Sequence, residues 1–474
     1  MAGTLGVAGA TLGALRLRSR TPNRLPLAGP RRELPDIQHA ISDFIPPEQT
    51  IDDVAFRFGP LYTTFATVRL KRAPTKKDQR LLAAALDTIE GAYRFAPDGI
   101  FTLVSYGIPY FQRLPGGVNG ALFSTHVPRL RSDTRRYALE EAQPSPTDVS
   151  PTNPGVRKRT FTIPVRIETN DMLFTLRSDT TDIIHEVLEW LAGRTKSLND
   201  RSVGAAGLDH LFEVTSTRLM FNQRGLPRRL ADEQRFAFAR YISPDSPMWM
   251  GFADQQVAGS GPPEITTFLG NPSARLTTAR AGDYFDRGAI VHLSHSVLDL
   301  EQFYGRPYEP YAERVQYMFH SNPPLARGNA DQFTDGGGPA FLANKFRGSD
   351  DADKNARGLG TYRRQHRIGH TSALQRSSRA PDGTPMHIRI DGPGLDAMDI
   401  PDETIEPKLQ FSIIVPTAEF FVGMRRNQAA PDLAQRFKVE AKNIGLERFV
   451  TTTRRQNFLI PPRRHRAFPL VELT

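Results

Sequence analysis

The sequence predicts an α+β protein built from two ferredoxin-like units with antiparallel sheets. One observation is the order of periodicities over residues 61–191, which run strand, helix, strand, strand, helix, most of a ferredoxin-like unit. A second is that, after a Pro-containing stretch at 242–247, a similar coarse order begins again, with no repeat at the level of sequence. A third is composition: 474 residues, 39 % hydrophobic and 24 % charged, describe a chain able to bury a sizeable core rather than a disordered or membrane-spanning one.

The elements follow in order. Residues 61–70 (LYTTFATVRL) are β-branched and aromatic and read as a strand, and 77–93 carry Leu81, Leu82, Leu86 and Ile89 at helical spacing. Residues 100–114 read as a second strand, broken at Gly107 and Pro109, and the Pro/Ser/Thr-rich 143–157 as a loop. Strands at 161–167 and 172–177 precede a helix at 181–191, with Ile184, Leu188 and Leu191 on one face. In the second unit, 289–298 (AIVHLSHSVL) reads as a strand and 310–318 as a helix, followed by a polar, Gly-rich insertion at 326–360. A short strand at 387–390, a longer one at 409–415 and a helix at 418–428 complete the order. The boundaries this implies are a flexible, signal-like segment 1–50, one ferredoxin-like domain 51–240 and a second 241–474.

Charge and cysteine content narrow the chemistry. The net charge of +10 suits polyanions, yet the basic residues are mostly scattered arginines with no nucleic-acid module beside them, so no nucleic-acid partner is expected. Cysteine is absent, which removes disulfides, thiolate-ligated haem, cysteine-held iron–sulfur clusters and cysteine nucleophiles. The small-residue apolar run 1–15 is too short to span a bilayer, and no other stretch reads as a transmembrane anchor. That run reads either as the hydrophobic part of a twin-arginine export signal lacking its Arg-Arg segment, giving an extracytoplasmic location, or as a disordered tail of a cytoplasmic protein. Gly204-Ala-Ala-Gly207 and Gly336-Gly-Gly338 sit in no strand-to-helix phosphate loop, and no His-Glu-x-x-His zinc motif occurs.

Three pieces in order carry the chemical signal: Gly251-Phe252-Ala253-Asp254, His370 between glycine and threonine, and Arg389 in His-Ile-Arg-Ile-Asp. An imidazole on one side of a haem iron, with an acid/base and a cation on the other, is what peroxide cleavage needs. Taken with VSYGIPYFQRL, NDMLFTLRSD, AIVHLSHSVLDL, LQFSIIV and FLIPP, the order resembles the dye-decolorizing peroxidases over residues 58–470. The resemblance implies two ferredoxin-like domains of the dimeric α+β barrel type, with haem b held mainly by the C-terminal one. It implies His370 as the proximal iron ligand, Asp254 as the distal acid/base and Arg389 as the distal cation beside the haem. Hydrogen peroxide and a one-electron donor such as a dye or phenol are the implied partners, and a homo-oligomer is compatible with it.

The sequence also departs from that pattern. Gln255 stands where the Gly-x-x-Asp-Gly signature ends in glycine, so a haem-binding or iron-handling protein with little turnover is the alternative. A further reading is a protein without haem whose basic surface contacts cell-envelope polyanions. His387 is a rival ligand within its His-Ile-Arg string, but no arginine follows Arg389 before Arg425, and His366 is a second candidate nearby. Trp249 and Tyr241 are the aromatic residues nearest in sequence to Asp254 that suit electron relay, although such residues are more often core.

Overall fold

The computed structural model describes residues 33–47, 49–51, 54–56, 59–242, 244, 246–250, 261–272, 274–305, 385–440 and 443–474. The helix expected at 310–318 and the insertion at 326–360 lie outside the described residues. Nine strands form the main sheet: β1 Tyr62–Leu70, β2 Phe101–Gly107, β3 Arg166–Ile167, β4 Met172–Ser178, β5 Phe212–Phe221, β6 Ala289–Leu298, β7 Ile388–Asp396, β8 Glu406–Val415 and β9 Val450–Ile460. Among the described residues, three helices exceed ten residues: α1 Lys76–Ala92, α2 Thr181–Leu191 and α3 Ala418–Ala429. Each begins at a threonine whose hydroxyl accepts from a main-chain N–H three residues on (Thr75, Thr180 and Thr417), so local chemistry sets where each helix starts.

The strand order is β7-β8-β6-β9-β2-β4-β1-β5, with β3 added in parallel beside β9. Read by chain order within each half, β2-β4-β1-β5 and β7-β8-β6-β9 are both second, third, first, fourth, and every pairing within them is antiparallel. That is the ferredoxin-like arrangement twice over. The halves join where Phe458 and Leu459 of β9 pair with Gly107 and Tyr106 of β2.

At the far ends, β7 and β5 lie against each other. Gly394 makes the approach close: a Cβ there would sit 3.0 Å from the Leu219 carbonyl oxygen. The sheet thus closes on itself, and Phe65, Leu103, Leu173, Met220, Leu293, Ile390, Ile414 and Phe458, one from each of eight strands, fill its interior as a single cluster. The helices pack on the outer faces over a larger apolar layer.

Three local expectations need correction. The strand expected at 100–114 stops at Gly107, and Ile108–Gln112 turns helical, with Pro109 at the first turn where its missing N–H costs nothing. Of 161–167, Arg166–Ile167 alone finds a strand partner. The strand expected at 387–390 begins at Ile388 and runs to Asp396; it pairs with β8 on one side only, and an edge strand can carry Pro393 within it.

Candidate functional site

Arg389 is the one member of the proposed trio within the described residues; Asp254, Gln255, His366 and His370 lie outside them. It lies on β7. Arg389 pairs with Ile413 of β8, Ile413 with His292 of β6, and His292 with Asn457 of β9, so one row crosses four strands on one face. Ile413 belongs to the outer apolar layer with Phe421 of α3, and the neighbouring Ile390 and Ile414 point into the barrel. Arg389 is therefore half-buried on the helix-facing side of the C-terminal half. Asp391, two residues on, shares that face opposite Phe411.

Two buried histidines lie on β6, one on each face of the sheet. The His292 ring stacks on Phe421 with centroids 3.8 Å apart; its Nδ1 lies 2.7 Å from Asn457 Oδ1, and its Nε2 lies 3.3 Å from Arg455 Nη1. A guanidinium can only donate, so Nε2 accepts and Nδ1 carries the proton. Burial first, and Arg455 second, push its pKa well below the ordinary imidazole value, so the ring is neutral. His295 points to the interior, with Nδ1 2.9 Å from Thr453 Oγ1 and Nε2 3.4 Å from Asp396 Oδ1. Both nitrogens of His292 are hydrogen-bonded, and no group of three or more histidine or carboxylate residues able to hold a metal ion forms among the described residues. Of the three residues the sequence nominates for a haem site, Arg389, the cation, is the one within the described residues.

The rival His387 is fully buried just before β7, and its carbonyl accepts from the Gly261 N–H at 2.8 Å. Trp249 is buried too: its indole donates to the Gly394 carbonyl at 2.9 Å and its ring meets Phe221 edge-on, so it sits at the β7–β5 closure. Tyr241 stacks on Tyr304, whose hydroxyl donates to the Trp249 carbonyl at 2.7 Å. The structure joins these aromatics as packing.

Sequence reasoning missed the polar layer behind the row. Arg455 of β9 binds Asp148 through two hydrogen bonds of 2.7 and 2.9 Å, both side chains buried. Arg425 of α3 grips Glu447 at 2.8 Å through each of two nitrogens. Burial alone would raise the Glu447 carboxyl; Arg425, Lys158 and Thr147 outweigh it and hold it at about 2. Asp148 and Arg455 are 307 residues apart, a separation that leaves no signal in a linear pattern.

A family model described as "Family of unknown function (DUF7405)" matches residues 133–462. No curated protein matches the chain. Among solved structures, the chain is similar to a DyP-type peroxidase from Streptomyces coelicolor at 14% identity and TM-score 0.46, covering 85% of this chain and 90% of that one. It is similar to a dye-decolorizing peroxidase from Bacteroides thetaiotaomicron at 11% identity and TM-score 0.44, covering 86% and 95%. It is also similar to a DypB variant from Rhodococcus jostii in complex with heme, at 10% identity and TM-score 0.43, covering 86% and 96%.

Proposed function

The chain belongs to DUF7405, a family of unknown function, and from that premise we propose that it is a haem-dependent peroxidase, reducing hydrogen peroxide while oxidising a one-electron donor such as a dye or phenol. The observation that carries the reading is the position of Arg389: the residue the sequence marks as the distal cation is held by a paired strand, half-buried, on the helix-facing side of the C-terminal half. The order of motifs from Gly251 to Arg389 supports it from the sequence side. A bound haem b supplies the redox iron for peroxide reduction.

The chain's own residues divide the remaining work. His370 holds the iron through an imidazole nitrogen. Asp254 takes the peroxide proton on a carboxylate oxygen and returns it to the departing oxygen, so that water can leave. The Arg389 guanidinium stabilises the negative charge that grows on that oxygen. Two donor molecules give one electron each, and two protons complete the second water. The setting proposed is extracytoplasmic, following the signal-like segment at the start of the chain.

Haem titration of the purified protein, followed by its Soret absorbance, tests the reading together with peroxide-dependent dye oxidation. The wild type is expected to bind haem and oxidise the dye, His370→Ala to lose iron ligation, and Arg389→Leu to keep haem while turning over about a hundredfold more slowly. A protein that binds no haem, or a His370→Ala variant with an unchanged Soret band, overturns the assignment. Gln255 favours the second reading, a haem-binding protein with little turnover, and haem binding without dye oxidation selects it.

A further inference from the structure

The twelve residues from Arg69 to Arg80 carry six cations, Arg69, Lys71, Arg72, Lys76, Lys77 and Arg80, and all six are exposed at the end of β1 and the start of α1. The segment's single acid, Asp78, is turned inward and is 2 % exposed. Its carboxylate binds Arg72 at 2.7 and 2.9 Å and accepts from the Thr75 N–H at 2.8 Å and the Thr75 hydroxyl at 2.7 Å. Asp78 therefore fastens the turn and offsets the charge of Arg72, leaving the other five cations to the surface.

Some of the charge is compensated locally. Arg69 stands opposite exposed Glu213 on β5, and the Lys71 ammonium donates to the Asp209 carbonyl at 2.9 Å. Lys76, Lys77 and Arg80 are different: among the described residues they make no ion pair, and they share the outer surface of the first turns of α1. The N-terminal end of the helix adds its own partial positive charge at the same place. The exposed residues that flank it include Asp209, His210 and Glu213 as well as Ala73 and Val214, the last 41 % exposed; no aromatic ring is exposed among residues 69–80.

We propose that this face is an adsorption surface for a membrane bearing anionic lipid headgroups. Lys76, Lys77 and Arg80 supply three uncompensated charges in one short stretch, with Arg69, Lys71 and Arg72 beside them, and each free cation near such a surface contributes a modest increment that salt weakens. A single-stranded nucleic acid would call for stacking rings, which the stretch lacks. The face belongs to the N-terminal half, so the inference does not rest on the peroxidase reading.

Co-sedimentation of the full chain with vesicles tests it. Vesicles of phosphatidylcholine with about 30 % phosphatidylglycerol are expected to bind the protein at low salt and release it near 0.5 M NaCl, and pure phosphatidylcholine vesicles to leave it in solution. The Lys76→Glu/Lys77→Glu/Arg80→Glu variant is expected to lose about a hundredfold in affinity. Arg131→Glu/Arg157→Glu/Arg287→Glu, equal in charge change but placed on other exposed arginines, is expected to bind like the wild type. Far-ultraviolet circular dichroism confirms that both variants fold. Failure to bind anionic vesicles, equal binding to neutral ones, equal losses in the two variants, or capture by duplex DNA in place of vesicles overturns the proposal.

Discussion

Arg455 carries a full positive charge into a layer almost without water, and one carboxylate makes that tolerable. Asp148 reaches it from the loop that precedes β3 in the N-terminal half, closing two hydrogen bonds, and the Arg455 guanidinium in turn fixes the His292 tautomer that lets Nδ1 bind Asn457. A single cation thus orders a loop, a strand and a neutral imidazole in the row that ends at Arg389. Removing one partner leaves the other charge buried: Arg425, 4.0 Å from Asp148, already holds Glu447. Arg455→Met is expected to cost about 3–5 kcal/mol in urea unfolding. The double variant Asp148→Leu/Arg455→Met is expected to recover much of that loss, because no charge is then stranded. A double variant as unstable as the single one would show that the pair's worth lies in packing alone.

At the scale of elements, two glycines make opposite predictions. Gly107 ends β2 where the chain leaves the sheet for the Ile108–Gln112 helix, and a Cβ there would lie 2.4 Å from the Asn170 carbonyl oxygen, so Gly107→Ala is expected to destabilise by about 1–3 kcal/mol. Gly91, in the last turn of α1, has nothing within 4 Å of its Cβ position, and Gly91→Ala is expected to stabilise by about 0.5–1 kcal/mol. Paired thermal melts read both signs. The same local chemistry governed what the sequence made legible. β1, α1, β4, α2, β6 and α3 announced themselves because apolar residues recur there at the period of the element. β5 and β9 did not, although they are ten and eleven residues long. Their inward positions include Arg218 in β5 and Arg454 and Gln456 in β9, charges and amides that read as solvated until Glu168 is seen to bridge Arg218 and Arg454, and Asp399 to bind Arg454. For the candidate site, the sequence could nominate Arg389 through its place before a strand, whereas the row beside it depended on register and stayed hidden.

For the whole molecule, closing one barrel from two halves buries titratable groups at both levels of the acid range. His39 lies fully buried with Nε2 2.9 Å from the Thr266 hydroxyl, and burial pushes its pKa down to about 4 against a weaker upward pull from the Pro263 carbonyl; His292 is lowered as well. Between pH 6.5 and about 4 the unfolded chain takes up these protons and the folded chain does not, so stability falls as pH falls through that window. The effect amounts to about 3 kcal/mol for His39 alone. Below about 4.5 a second loss begins: Glu447, depressed to about 2 as Arg425 overcomes its burial, protonates in the unfolded chain first, and Glu90 and Glu168, lowered by their arginines, act in the same direction. Urea unfolding at pH 7.5, 5.5 and 4.0 is expected to give steadily falling stability, and His39→Gln, whatever its absolute stability, a shallower fall between 7.5 and 4.0. A wild-type stability that stays level from pH 7.5 to 5.5 would mean that the buried imidazoles gain protons without unfolding. The consequence reaches the functional test, since a dye assay run near pH 4 probes a fold that has already lost the histidine contribution, and turnover there is to be compared with a parallel measurement near pH 6.5.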